Sequence, residues 1–150
     1  MELIDAVTDF SIEKDIVRPE YDVEFRISED REVFAWGRSL VPYQVYSSLC
    51  CVAYTHEIPI NMEQLTEYST NHSPYRGDIA VAYTVWNCSD AKGSGRSLIL
   101  ALQKHFSSHA KVNRLVTLSP LTEMAKKFHL SNGAKLLSTN PESYNFEYEI

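Results

Sequence analysis

Lys127 to Ala134 reads Lys-Phe-His-Leu-Ser-Asn-Gly-Ala. It sets a histidine in the last turn of a helical pattern, one residue after Phe128 of the apolar stripe and just before an Asn132-Gly133 exit. Histidine ordinarily titrates near neutrality, so His129 is either an acid–base group or a polar side chain packed where a helix dipole favours its charged form. A second stretch, Lys92-Gly93-Ser94-Gly95-Arg96-Ser97, lies between an apolar strand pattern and a helical pattern. A glycine-rich turn there leaves amide N–H groups unpaired at a helix N-terminus, where the macrodipole favours an anion. With the cations Lys92 and Arg96 alongside, a diphosphate fits. The glycines stand one residue apart and no lysine-serine or lysine-threonine pair follows, so this is neither a Walker loop nor the three-glycine dinucleotide fingerprint. The same turn is also explained as a tight strand-to-helix connection.

These stretches must be carried by elements, and the pattern supplies them. Tyr21 to Ser28 alternates cleanly, Val33 to Trp36 is a short apolar run and Val45 to Thr55 a longer one, giving three strands. Asn61 to Ser69 suits a helix. Ile79 to Trp86 is apolar with small residues at alternate positions, as in a central strand. Leu98, Ile99, Leu102 and Phe106 recur at helical spacing, and Arg114 to Leu118 returns as a strand. Ser119-Pro120 then has the form of a helix start, serine capping and proline at the first helical position, with Leu121, Met124, Ala125 and Phe128 as the apolar stripe. Lys135 to Ser138 and Tyr144 to Ile150 close the chain as strands.

At 150 residues and 44% hydrophobic content, the chain suits one domain, residues 1–150, with residues 1–20 as a possible appendage packing as a helix or strand. No apolar run approaches the roughly 20 residues that span a bilayer. Six acids in the first twenty residues exclude a signal or transit peptide there, so the expected location is cytoplasmic. A net charge of -6 without a clustered positive face argues against nucleic acid. Cys50 and Cys51 are adjacent and Cys88 stands alone, which matches neither a disulfide framework nor metal-ligand spacing; they read as reduced, mostly buried thiols, and no metal is expected.

The succession of strand, Gly-x-Gly turn, helix, strand, helix with Phe128-His129 shortly before Gly133, and final strands resembles the GNAT acyl-CoA fold. The implied class is α/β, a mixed and mostly antiparallel sheet flanked by helices. In that family the turn cradles the coenzyme A pyrophosphate, which assigns Lys92, Gly93, Ser94, Gly95, Arg96 and Ser97 to cofactor binding. The usual pattern opens on Arg or Gln, where this chain has Asp90, and Lys92 and Arg96 stand in for the missing charge. Asn87-Cys88, the Gly95 turn, Val116-Thr-Leu-Ser-Pro120 and Phe128-His-Leu-Ser-Asn-Gly-Ala134 are similar to the catalytic domain of malonyl-CoA decarboxylases. Val33-Phe-Ala-Trp36 and Thr55-His-Glu-Ile-Pro59 follow the same order upstream. The likeness runs over about residues 31–150. It departs where those enzymes carry a long insertion, since here only seven residues separate Pro120 from Phe128, and their separate helical domain is missing.

The resemblance implies that Ser119 and His129 are catalytic, acting on an acyl-CoA or acyl-carrier pantetheine held where the Ile79 and Arg114 strands splay apart. Decarboxylating a malonyl thioester needs donors at the forming enolate and a proton source, and a hydroxyl and an imidazole provide them. A charged His129 would also hold the substrate carboxylate. Two other readings stand beside it. In many GNAT acetyltransferases a tyrosine at the place of His129 protonates the departing thiolate, so His129 can be the acid of an acyl transfer, with His56 or Glu57 as candidate base. A non-catalytic acyl-CoA-binding protein would keep the fold alone. Asn132 shapes the helix exit and can steady His129. Lys126 and Lys127 suit a solvated face, with the coenzyme's 3'-phosphate as an alternative, and Tyr83 and Trp86 suit the core.

Overall fold

A computed structural model describes residues 1–4, 31–40, 43–69, 77–87, 92–109 and 111–150. The strand expected over Tyr21–Ser28, most of the first twenty residues, Cys88 and Asp90 lie outside them, as does the Trp86 side chain. The described elements are β1 (Glu2–Ile4), β2 (Arg31–Leu40), β3 (Tyr43–Thr55), α1 (Met62–Ser69), β4 (Ile79–Asn87), α2 (Ser94–Ser107), β5 (Arg114–Thr117), β6 (Ser119–Pro120), α3 (Glu123–Ser131), β7 (Lys135–Thr139) and β8 (Ser143–Tyr148). The strands form one sheet in the order β1-β2-β3-β4-β5-β8-β6, with β7 also on β8. Among the described residues β4 and β5 are the only parallel neighbours; the other pairings are antiparallel. This is the mixed α/β sheet implied by the sequence. No helix among the described residues is long and apolar enough to cross a membrane.

Side-chain alternation explains why the central strands read as continuous apolar runs. Cys50, Val52 and Tyr54 of β3 face one layer while Leu49, Cys51 and Ala53 face the other, and both layers are packed. Ala80 and Ala82 of β4 join the first layer with Leu98, Ile99, Leu102 and Phe106 of α2. Their small side chains leave room for the helix to lie against the sheet. Val81 and Tyr83 point the other way, into the layer closed by Leu65 of α1. The two described cysteines, Cys50 and Cys51, are buried thiols outside any disulfide. Desolvation, first of all, raises the Cys50 thiol well above its usual range, which suits packing rather than nucleophilic use.

The segment after β5 differs from its sequence pattern in two ways. Ser119 and Pro120 do not open a helix: they pair with Tyr144 and Ser143 of β8. The cap is Thr122, whose hydroxyl accepts from the Ala125 amide at 3.1 Å, and α3 begins at Glu123. Proline fits either place, because its missing N–H is as harmless on a short edge strand as in a first helical turn. Nor is the Leu121-Met124-Ala125-Phe128 stripe a core face throughout, for of these residues only Phe128 packs against the first layer. Leu121 and Met124 are exposed, Met124 at 76%, and His129 is the only residue that α3 buries. The exit turns at Gly133, with φ of 95°, while Asn132 stays at φ -86°.

Candidate active site

The parallel ladder from Ile79–Arg114 ends at Ala82–Thr117, and the Leu118 amide still reaches the Ala82 carbonyl at 3.0 Å. Beyond that point β4 runs on to Asn87 while the other strand breaks and moves away as β6. The wedge between them opens into a cavity of about 510 Å³. Thr84, Val85 and Asn87 form one wall and Ser119 and Pro120 another; the start of α2 and the inner side of α3 complete it. Met124, Ala125 and Phe128 of the apolar stripe line this cavity. Phe128 closes the gap to α2, where a Cβ on Gly95 would stand 3.4 Å from its ring.

At one end of the cavity, Gly93 takes φ 83° as the N-cap of α2 and supplies no side-chain cap. Glycine holds that conformation without strain, and the N-terminus of a helix, with its amides and its dipole, favours an anion. Of the six turn residues, Gly93, Gly95 and Arg96 line the cavity. Lys92 is exposed, the Ser94 carbonyl accepts from the Ser48 hydroxyl at 2.8 Å, and Ser97 borders a separate groove. Arg96 is the one formally charged side chain among the described lining residues; it donates to the Ser131 carbonyl at 3.3 Å and the Asn132 side-chain oxygen at 3.5 Å. The guanidinium thus ties the start of α2 to the end of α3, where a helix C-terminus favours a cation.

Ser119 and His129 both line the cavity and both are buried. The Ser119 hydroxyl oxygen lies 2.8 Å from that of Thr117. His129 meets Tyr148 of β8 through Nδ1, 2.7 Å from the phenolic oxygen, and its ring stands 5.0 Å from that of Phe146. Burial pushes its pKa down to about 4, so the imidazole is neutral at pH 7 and does not provide the cation that would hold a carboxylate. The cost of removing the charge from water outweighs the helix dipole here. Burial also raises the Tyr148 phenol, against a smaller opposing effect of the Asn132 amide beside it. That Asn132 nitrogen is itself buried with no hydrogen-bond partner among the described residues. With the phenol donating to Nδ1, the neutral ring carries its own proton on Nε2.

His56 and Glu57 are exposed and absent from the cavity wall, so the structure does not bring the candidate base to the site. Lys127 is exposed, and the Lys126 ammonium lies 5.8 Å over the Tyr144 ring. Tyr83 is packed in the second core layer. Thr117 and Tyr148, which fix the two candidate side chains, carry no local signal: both sit in strand patterns that read as core, and only the pairing of β5 with β8 brings them to this end of the sheet.

No protein-family model matches the chain, and no curated protein does. Solved structures do. Malonyl-CoA decarboxylase from Agrobacterium vitis superposes with a TM-score of 0.69 over 99% of this chain at 17% identity; the chain spans 60% of that protein's length. NAA60 from Arabidopsis thaliana, solved with a bisubstrate analogue, gives 0.62 over 99% of both chains at 12% identity. AtaTR bound with acetyl-CoA gives 0.52 over 79% of this chain and 71% of that one at 15% identity. At such identities the likeness establishes architecture, and the architecture is one: this chain has the GNAT fold, in a form similar to malonyl-CoA decarboxylase.

Proposed function

We propose that the chain binds a coenzyme A thioester, or the pantetheine of an acyl carrier, in the wedge between β4 and β6 and decarboxylates a malonyl-type acyl group. The observation that carries this reading is the convergence of the Gly93-led N-terminus of α2, Ser119 and His129 on one cavity. The pyrophosphate meets the first turn of α2 and Arg96, with Gly93 and Gly95 allowing close approach. The acyl group then lies in an end of the cavity that holds neutral donors. Two hydrogen bonds, from the Ser119 hydroxyl and from His129 Nε2, stabilise the thioester oxygen as the carbon–carbon bond breaks, carbon dioxide leaves and the electron pair passes into the enolate. The enolate carbon then takes the Nε2 proton while the Tyr148 proton moves to Nδ1, and the Asn132 amide steadies the resulting phenolate until solvent returns the proton. A carboxylate desolvated beside neutral groups is destabilised relative to the spreading charge of the transition state, so a neutral His129 suits this step better than a cationic one.

The test is carbon dioxide release from malonyl-CoA and methylmalonyl-CoA by the wild type and by His129→Ala. Turnover by the wild type that falls about 100-fold or more in the variant is expected for the loss of an enolate donor. No release by the wild type overturns the reading. Acyl transfer to an amine is the second reading, favoured by the end-to-end match with NAA60. Consumption of acetyl-CoA that depends on an added amine, with no carbon dioxide formed, would establish it.

A further inference from the structure

β5 and β6 are two parts of one strand that bows. Leu115 and Val116 face Tyr148 and Glu147 of β8, and Ser119 and Pro120 face Tyr144 and Ser143, so no residue is gained or lost between the two ladders. The pairing lapses over Thr117 and Leu118, where the Leu118 amide reaches across to Ala82 of β4, and side chains bridge the gap to β8. The Phe146 amide donates to the Thr117 hydroxyl at 3.1 Å, and the Asn145 side-chain amide donates to the Thr117 carbonyl at 2.8 Å. Asn145 is fully buried, which would be costly for an amide without partners. Its partners are complete. The nitrogen also donates to the Pro59 carbonyl at 2.9 Å, while the oxygen accepts from the Ser138 hydroxyl at 2.9 Å and the Asn140 amide at 2.8 Å. A carbonyl only accepts, so the Thr117 and Pro59 carbonyls fix which way the amide points, and both its protons and both its lone pairs are used.

We propose that Asn145 is a positioning residue: its side chain clasps the strand at the bow, where it swings from β4 back to β8, and so sets the point at which Ser119 enters the cavity. Asn145 itself is absent from the cavity wall, and Ser119 lies two residues beyond the carbonyl it holds. Without the amide, the Thr117 and Pro59 carbonyls would be buried with no donor, and the strand would regain partners by closing toward the β8 backbone. Closing straightens the bow and carries Ser119 with it. The turn into α1 is tied to the same pivot, through Pro59 and through the Ser143 hydroxyl, which donates to the Ile60 carbonyl. A network satisfied at every member is rigid, which is what holding a reacting group to a fraction of an ångström requires. The assignment rests on the reading in which Ser119 acts on the acyl group.

A mutant cycle and one spectrum test it. Asn145→Ala is expected to lower kcat for carbon dioxide release about 10- to 100-fold, with KM and coenzyme A affinity within about 3-fold of the wild type. Placed in a Ser119→Ala background, the same substitution is expected to change kcat by less than about 3-fold, because the group it positions is already gone. A lower Tm follows from losing a buried amide in either background and decides nothing; the dependence of the kcat loss on Ser119 does. An equal kcat loss in both backgrounds, or no loss in the single variant, overturns the proposal. Should Asn145→Ala fail to fold, NMR of the wild type decides. Slowly exchanging Asn145 side-chain protons, with scalar couplings from Nδ2 to the Thr117 and Pro59 carbonyl carbons, support the clasp, and a freely exchanging amide overturns it. That spectrum is independent of turnover. A wild type that shows the couplings but releases no carbon dioxide would remove the decarboxylase reading and leave the clasp standing.

Discussion

The chemistry of His129 depends on its being dry. A histidine at a helix C-terminus in water is stabilised as the cation, yet this ring sits against Phe146 and Tyr148 at 5% exposure, and burial holds its pKa at about 4. In the unfolded chain the same group titrates near its ordinary 6.5. Between those values the unfolded state binds the proton and the folded state does not, so stability is full above about pH 6.5, falls as the pH drops through the window and is lost below about pH 4. The difference is worth up to about 3 kcal/mol. Urea unfolding of the wild type between pH 7 and pH 4.5 should therefore show a steeper loss than that of His129→Gln, whose side chain does not titrate. Parallel slopes would mean that the imidazole is already charged in the fold. The spacing around Phe128 and Gly133 was enough to single out this residue. Its neutrality was not legible, because it comes from burial against Phe146 and Tyr148 of β8, which only the assembled sheet brings beside it.

At the scale of elements, the approach of α2 to α3 sets the width of the cavity. Gly95 faces the Phe128 ring, and a Cβ there would stand 3.4 Å from Cε2 and Cζ and 3.5 Å from the Asn87 side-chain oxygen. Alanine fits with little movement, and a carboxylate would stand where the first-turn amides meet the pyrophosphate. Gly95→Ala is expected to bind coenzyme A within about 3-fold of the wild type, and Gly95→Asp about 100-fold more weakly, since one added charge a few ångströms from a phosphate is worth several kcal/mol at an effective dielectric of about 20. Titration calorimetry with coenzyme A reads both, and unchanged affinity in the aspartate variant would show that the anion lies elsewhere. The α3 stripe shows where pattern reading stops. Helical spacing identifies an apolar face but not what covers it, and Met124, Ala125 and Phe128 have the same periodicity on a cavity wall as on a core. Ser119-Pro120 shows the same limit, for a cap and a short edge strand ask for the same two residues.

For the molecule as a whole, most of the sheet was legible because both periodicities are clean: alternation along β3, β4 and β8, and the spacing of Leu98, Ile99, Leu102 and Phe106 on α2. The wedge is a property of the assembled sheet. It needs β4 and β5 to run parallel, β8 to pair with β5 and β6, and the ladder to part after Thr117; a bidentate Arg114–Glu147 pair with both contacts at 2.7 Å clamps β5 to β8 just before that point. Because the cavity is bounded by elements from across the chain, a ligand seated in it should tighten all of them together. Coenzyme A at 100 times its Kd adds about 2.7 kcal/mol to the stability of the folded state, which for a chain of this size raises Tm by roughly 5 to 10 °C. Gly95→Asp should lose that rise, while Thr117→Val and His129→Gln should keep it, since neither touches the pyrophosphate end. A rise in the wild type without turnover on any acyl-CoA would make the chain a binding protein that retains the fold. No rise at any attainable concentration would mean that the glycine turn before α2 is only the corner by which the chain passes from sheet to helix.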